Sequence, residues 1–218
     1  MMNEIEGTSA KFNLETYLEA RKMARKIILL TASQIDVGMT EDDGLKVLDQ
    51  LFENFGIKKK WHPHKFRIGL NTTKSFREKS EPGIKLSEND IYFIDIGPVI
   101  NGHEADYGQT FTTGQNSENS LIQKSSRDVF NEVQKLWKED GLVGSELYTK
   151  AEEIAESKGY ILNTKMNGHR LGDFPHALYY KGSLQVFNKK PIENLWVLEI
   201  LLKHKELNIG AFFEDILI

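Results

Sequence analysis

Carboxylates occupy places in this chain where apolar strand residues belong. Asp95 lies between Ile94 and Ile96, Glu199 lies between Leu198 and Ile200, and Glu214 follows Phe212-Phe213. A fourth, Asp106, comes after a gap of ten residues from Asp95. A carboxylate in apolar surroundings is costly unless it meets a cation or hydrogen-bond donors. For any one of the four, a strand with its acid turned to solvent is a sufficient account; for all four together it is not. At close range four carboxylates cannot all ionise unless positive charge is supplied. Two divalent cations would balance them, and a neutral histidine adds a ligand without adding charge. His169, in Asn167-Gly168-His169-Arg170-Leu171-Gly172, suits that part because the flanking glycines let backbone approach closely. An oxygen-rich set with one imidazole fits Mn, Co or Fe(II), with zinc also compatible. Two ions about 3.5–4 Å apart can share and deprotonate a water while polarising a carbonyl.

The elements that must carry these residues read as one plan used twice. Apolar positions Ala20, Met23, Ala24, Ile27, Ile28, Thr31 and Ile35 follow helical spacing from Asn13, and Gly38 ends or follows that helix. Thr40-Glu41-Asp42-Asp43 predicts an N-cap with an acid at the third position, opening a helix through Leu48, Leu51, Phe52 and Phe55 that Gly56 closes. In the second half Ser117 is expected to cap a helix bearing Val129, Val133, Leu136 and Trp137. Gly141 and Gly144 break it, and Ser145-Glu146 opens another helix through Ala151, Ile154 and Ala155 that Gly159 ends. Each half then turns to strands: Ile91–Ile96 with Tyr107–Thr113, and Leu195–Leu202 with Ile209–Glu214. Asn101-Gly102 marks the turn of the first pair. No Pro/Ser-rich linker intervenes, so residues 1–218 are expected to form one domain with pseudo-symmetric halves at about 12–115 and 116–218. Each half offers a hairpin with two acids, which such symmetry would bring together.

Bulk properties narrow the chemistry. With no cysteine, disulfides, thiolate metal sites and cysteine nucleophiles are excluded. A net charge of −4 gives no general attraction to nucleic acid or anionic membranes. Hydrophobic residues at 39% and charged residues at 28% are ordinary for a soluble domain. The acidic start, Met1 to Glu6, has no apolar run, and no stretch approaches the roughly 18 apolar residues of a spanning helix. A cytoplasmic location is expected.

At the acidic strands the chain resembles a known family. The segment from Asp95 through Ile-Gly-Pro-Val-Ile-Asn-Gly-His-Glu-Ala to Asp106 and Phe111 is similar to the paired-aspartate strands of the pita-bread metallopeptidases. That family includes methionine aminopeptidases, Xaa-Pro aminopeptidases and prolidases. Gly168-His169-x-x-Gly172 resembles its histidine loop, Leu198-Glu199 and Phe213-Glu214 its two glutamate strands, and Thr40-Glu41 its inter-helix segment. The resemblance covers the chain from about residue 14. It implies an α+β pita-bread fold, helices packed on a curved antiparallel sheet, and a peptide substrate. It further implies that Asp106 and Glu214 bridge two divalent ions, that Asp95 binds one, and that His169 and Glu199 bind the other. His176, in Phe174-Pro175-His176, matches the family's second histidine, which contacts substrate and the tetrahedral intermediate; its alternative reading is a surface histidine in a polar loop.

Departures from the family leave questions for the structure. Five residues past Asn71 the family usually has a histidine, and here stands Phe76. His62 and His64 are alternative sources of that imidazole, but Trp61-His62-Pro63-His64 reads first as an ordinary loop. His103 and His204 read as surface residues. The sequence around Asn71-Thr72 and Asp95 to Pro98 looks more like small relatives of Xaa-Pro aminopeptidase than like methionine aminopeptidase. The expected activity is removal of an N-terminal residue, with a preference for Xaa-Pro; methionine aminopeptidase is the alternative. A non-catalytic binding module and a metal-independent, creatinase-like hydrolase share the fold, and retention of all five ligands argues against both. A homodimer is one open expectation.

Overall fold

A computed structural model describes residues 4–218 of the chain. Helix α1 (Leu14–Ala32) starts where Asn13 accepts the Thr16 N–H, and it stops short of the expected Ile35, in a turn at Ser33. Helix α2 (Glu41–Asn54) has the expected cap. Thr40 Oγ1 accepts the Asp43 N–H while the Asp43 carboxylate accepts the Thr40 N–H. The first strands follow: β1 (Lys65–Ile68), β2 (Ile91–Ile96), the short β3 (Val99–Ile100) and β4 (His103–Glu104), and β5 (Tyr107–Thr112). Asn101 and Gly102 both take positive φ, and the turn they make closes β3 on β4 rather than β2 on β5. The expected hairpin therefore carries a separate two-stranded ribbon at its tip.

Helix α3 (Ser117–Asp140) is capped by Asn116, whose Oδ1 accepts two backbone N–H groups; Ser117 is its first residue, not its cap. Gly141 ends it in the left-handed conformation. Helix α4 (Gly144–Ser157) starts at Gly144 instead of after it, with the Val143 N–H donated to Glu146 Oε2, and position 144 must be glycine because a side chain there would strike the Leu184 carbonyl at 2.2 Å. Strands β6 (Tyr160–Leu162), β7 (His169–Arg170), β8 (Trp196–His204) and β9 (Gly210–Ile216) complete the chain.

The main sheet has the order β1-β2-β5-β9-β8-β6, with β7 also on β8, and all its pairs are antiparallel. Strands of the first half thus fill one side and strands of the second half the other, joined through β5 and β9. Alternation along each strand sorts residues between faces. Ile94, Ile96, Leu198, Ile200 and Phe213 belong to the large core shared with the helices. Their neighbours Phe93, Leu201 and Phe212 form a separate cluster on the opposite face, and Asp95, Glu199 and Glu214 are in step with these. Among the described residues no helix is long and apolar enough to cross a membrane.

Two tethers tie the segment before α1 to the far end of the chain. Arg170, buried beside His169, donates from its guanidinium to the carbonyls of Ile5 and Gly7. Glu6 accepts from Trp196 Nε1 at 2.8 Å and from the Ile192 N–H at 2.9 Å.

Candidate metal centre

Strand register puts three of the acids in one line. The paired residues Lys65, Asp95, Gly108, Glu214 and Glu199 run as a single row across β1, β2, β5, β9 and β8. Exchanging the two halves along this row would put Asp95 on Glu199 and Gly108 on Glu214. The counterpart of Glu214 is therefore a glycine, and Asp106 enters from just before β5, outside the row. That missing side chain is a requirement: a Cβ at Gly108 would lie 2.7 Å from Glu214 Oε1.

Asp95, Asp106 and Glu214 are buried, and with His169 and Glu199 they line one cavity of about 560 Å³. Ligand-type atoms of His62, Asp95 and Asp106 lie within 4.8 Å of one another, as do those of Asp106, His169 and Glu214. Glu199 stands outside both tight groups, where its Oε2 accepts the Gly168 N–H at 2.6 Å. Gly168 is required for that approach, since its φ is +65° and a Cβ would meet the Val197 carbonyl at 2.5 Å. His169 Nε2 is 2.8 Å from Asp106 Oδ2.

The electrostatics are those of a place that lacks positive charge. Burial, reinforced by Asp106 and Glu199, pushes the Asp95 carboxyl up to about 7. Burial together with the charges of Asp106 and Asp95 raises Glu214 well above the carboxylate range. Asp106 goes the other way, because hydrogen bonds from His169 and His62 outweigh its burial. Asp95 Oδ1 and Glu214 Oε1 are buried with no hydrogen-bond partner. Orphaned acceptors of this kind, in an oxygen-rich set with imidazole, fit divalent cations.

His176 lies at the margin, not in the cavity wall. Its ring stacks on His169 with centroids 5.6 Å apart and meets Trp61 edge-on at 5.2 Å. Its Nδ1–H donates to Glu104 Oε2 at 2.6 Å and its backbone N–H to Glu104 Oε1 at 3.1 Å. Glu104 is buried and was not singled out in the sequence, although its place two residues before Asp106 was visible.

His62 lies in the loop between α2 and β1, as the sequence suggested, but its ring is buried against the acids: its Nε2 stands 3.3 Å from Asp106 Oδ1 and 3.4 Å from Asp95 Oδ1. His64 points away, edge-on to Phe52 and buried without a hydrogen bond, and burial holds its pKa down to about 4. His103 is buried, not surface; its Nε2 accepts the Asn13 N–H while its Nδ1–H donates to the Asn101 carbonyl. His204 lies at a strand end, where its Nδ1 accepts the Glu206 and Leu207 N–H groups. Phe76 lines the cavity, 5.4 Å from the His62 ring.

Residues 15–217 match metallopeptidase family M24. The chain belongs to that family. It is 28% identical over 176 residues to the methionine aminopeptidase of Clostridium acetobutylicum, covering 74% of this chain and 68% of that one. By structure it is similar to the X-Pro aminopeptidase of Thermotoga maritima, with a TM-score of 0.79 and 17% identity, over 98% of this chain and 59% of that one. It is also similar to the methionine aminopeptidase of Thermotoga maritima, with a TM-score of 0.74 and 15% identity, over 97% of this chain and 93% of that one. The fold is the pita-bread fold of these enzymes. The chain thus spans less than two thirds of the length of that X-Pro aminopeptidase.

Proposed function

We propose that the chain is a metal-dependent aminopeptidase that releases the N-terminal residue of peptides, favours Xaa-Pro bonds, and uses two divalent ions held by Asp95, Asp106, His169, Glu199 and Glu214. The observation that carries this reading is the convergence of those five side chains on one cavity, with buried carboxylate oxygens left unpaired. Divalent ions bound there would supply Lewis acidity toward the scissile carbonyl and acidify a water. The remaining work falls to the chain's own groups. Glu104 takes the Nδ1–H of His176, which leaves Nε2 as the atom free to exchange a proton or hydrogen bond with substrate. His169, in the cavity wall, stacks on His176 and so holds that imidazole at the cavity's margin.

Phe76 favours proline. With Met166 it gives the cavity an apolar wall. Its ring offers no hydrogen bond to a substrate amide, and a prolyl nitrogen has no N–H to leave unsatisfied. Two relatives that match by sequence are methionine aminopeptidases, which makes that activity the second reading. Metal analysis of the purified protein, then rates on Ala-Pro and Met-Ala peptides with Mn²⁺ or Co²⁺, tests both. Faster cleavage of Ala-Pro is expected, and Phe76→His should raise the Met-Ala rate. A preference for Met-Ala would overturn the Xaa-Pro assignment, and no cleavage of either would overturn catalysis. A cytoplasmic setting goes with this reading; gel filtration would show whether the enzyme is a homodimer.

A further inference from the structure

We propose that His62 is a sixth protein ligand of the metal centre, serving the ion on the Asp95 side as His169 serves the other. The proposal rests on the dinuclear reading above. Asp106 presents one oxygen to each imidazole, Oδ1 to His62 Nε2 at 3.3 Å and Oδ2 to His169 Nε2 at 2.8 Å. The two rings are tethered in the same way. His62 Nδ1–H donates to the carbonyl of the next residue, Pro63, at 2.9 Å, and His169 Nδ1–H to that of Arg170 at 2.8 Å. A neutral imidazole tied at Nδ1 must direct its Nε2 lone pair at the carboxylates, the arrangement by which metal-binding histidines are oriented. The unpaired Asp95 Oδ1 lies 3.4 Å from His62 Nε2. Ligand atoms around one ion with bonds of about 2.1 Å lie about 3.0–3.4 Å apart, so both spacings suit a shared cation.

His62 is also held there by construction. The Trp61 N–H donates to the Gly97 carbonyl at 2.9 Å, the Val99 N–H to the Lys59 carbonyl at 2.9 Å, and Trp61 Nε1–H to the Ala105 carbonyl at 3.0 Å. Residues 59–62 thus run beside the end of β2. Gly97 makes room for them, since a Cβ there would fall 2.2 Å from His62 Cδ2 and 2.5 Å from Trp61 Nε1. A histidine that only filled space would not need both ring nitrogens placed in this way.

Cobalt(II) titration of the purified protein, followed by calorimetry and visible absorption, tests the assignment in wild type, His62→Ala and His169→Ala. Wild type should take two equivalents. His62→Ala should keep one at wild-type affinity and bind the other at least about tenfold to a hundredfold more weakly, with a changed spectrum for that ion only. Proton NMR of the cobalt-loaded wild type gives an independent readout that does not depend on the variant folding. Two strongly shifted, solvent-exchangeable imidazole N–H signals are expected, one each from His62 and His169. A single such signal, or unchanged cobalt affinities in folded His62→Ala, overturns the proposal; a raised KM alone in that variant marks His62 as a substrate contact instead. Wild type that binds no cobalt overturns the dinuclear reading itself, and this inference with it.

Discussion

At Asp106 two imidazoles meet one carboxylate, and that crowding makes the residue the hardest of the acids to replace. Asp106→Asn or Glu214→Gln keeps size but removes a charge from the centre, so kcat/KM should fall at least about a hundredfold. Glu206 lies on the exposed turn between β8 and β9, and Glu206→Gln should leave the rate unchanged. Equal damage from both glutamate changes would show that the last-strand ligand is misassigned. Glu104 acts at one remove: Glu104→Gln weakens its hold on the His176 tautomer, which should lower kcat about tenfold to a hundredfold with little change in KM. Unchanged kcat in that variant would reduce Glu104 to a packing residue. Asp95, Glu199 and Glu214 stood out in the sequence because a carboxylate beside leucine, isoleucine or phenylalanine violates the strand pattern, whereas Asp106 and His169 were picked out by spacing, glycine neighbours and family resemblance. His62 was not legible, because nothing in Trp61-His62-Pro63-His64 says which histidine turns inward. That choice is made at Gly97, thirty-five positions later, where a missing side chain admits the His62 ring.

Among the elements, the central strands depend on two such vacancies. Gly97→Ala should push the His62 and Trp61 rings off the end of β2, and Gly108→Ala should push Glu214 from the row it shares with Glu199. Both variants should stay folded by circular dichroism yet bind Mn²⁺ at least about tenfold more weakly. Wild-type binding by either would mean that its neighbours simply yield. Thr40→Ala, by contrast, removes a helix cap remote from the ions and should cost about 1 kcal/mol of stability without loss of activity. The boundaries of α1 to α4 and of β2, β5, β8 and β9 followed from spacing and capping to within a few residues, whereas β1, β6 and β7, each four residues or fewer, were not read. The β3–β4 ribbon did not, because two-residue strands carry no periodicity to read. Nor did the role of Glu41, whose carboxylate accepts the Ile68 N–H and Asn71 Nδ2 and so braces the loop that brings Phe76 to the cavity.

For the molecule as a whole, the clustered acids and imidazoles have a pH signature. Without metal, His62 and His169 are each held up to about 9, burial being outweighed by Asp95 and Asp106 for the first and by Asp106 for the second. Asp95 is held up to about 7. A group whose folded pKa is raised contributes stability below its unfolded value and loses it as pH rises through the folded one. The window is therefore about 4 to 7 for Asp95 and 6.5 to 9 for the histidines. Metal-free protein should melt at progressively lower temperature between pH 5 and 9, on the scale of those shifts. Saturating Mn²⁺ should raise the melting temperature, most at the alkaline end, and its uptake should release protons. Melting curves with and without Mn²⁺ at three pH values check this. A metal-free protein that gains stability toward pH 9 would contradict the raised values of Asp95, His62 and His169.

The place of β9 sets an order in time. It is the last of the described strands to leave the ribosome, yet it lies in the middle of the sheet, between β5 and β8. Until it is made, the earlier strands form two separate half-sheets, each with an open edge that any other extended chain could pair with. Folding of the site must therefore wait for translation to reach Glu214, and a nascent chain halted before Gly210 is a candidate for aggregation and for chaperones, not a smaller enzyme.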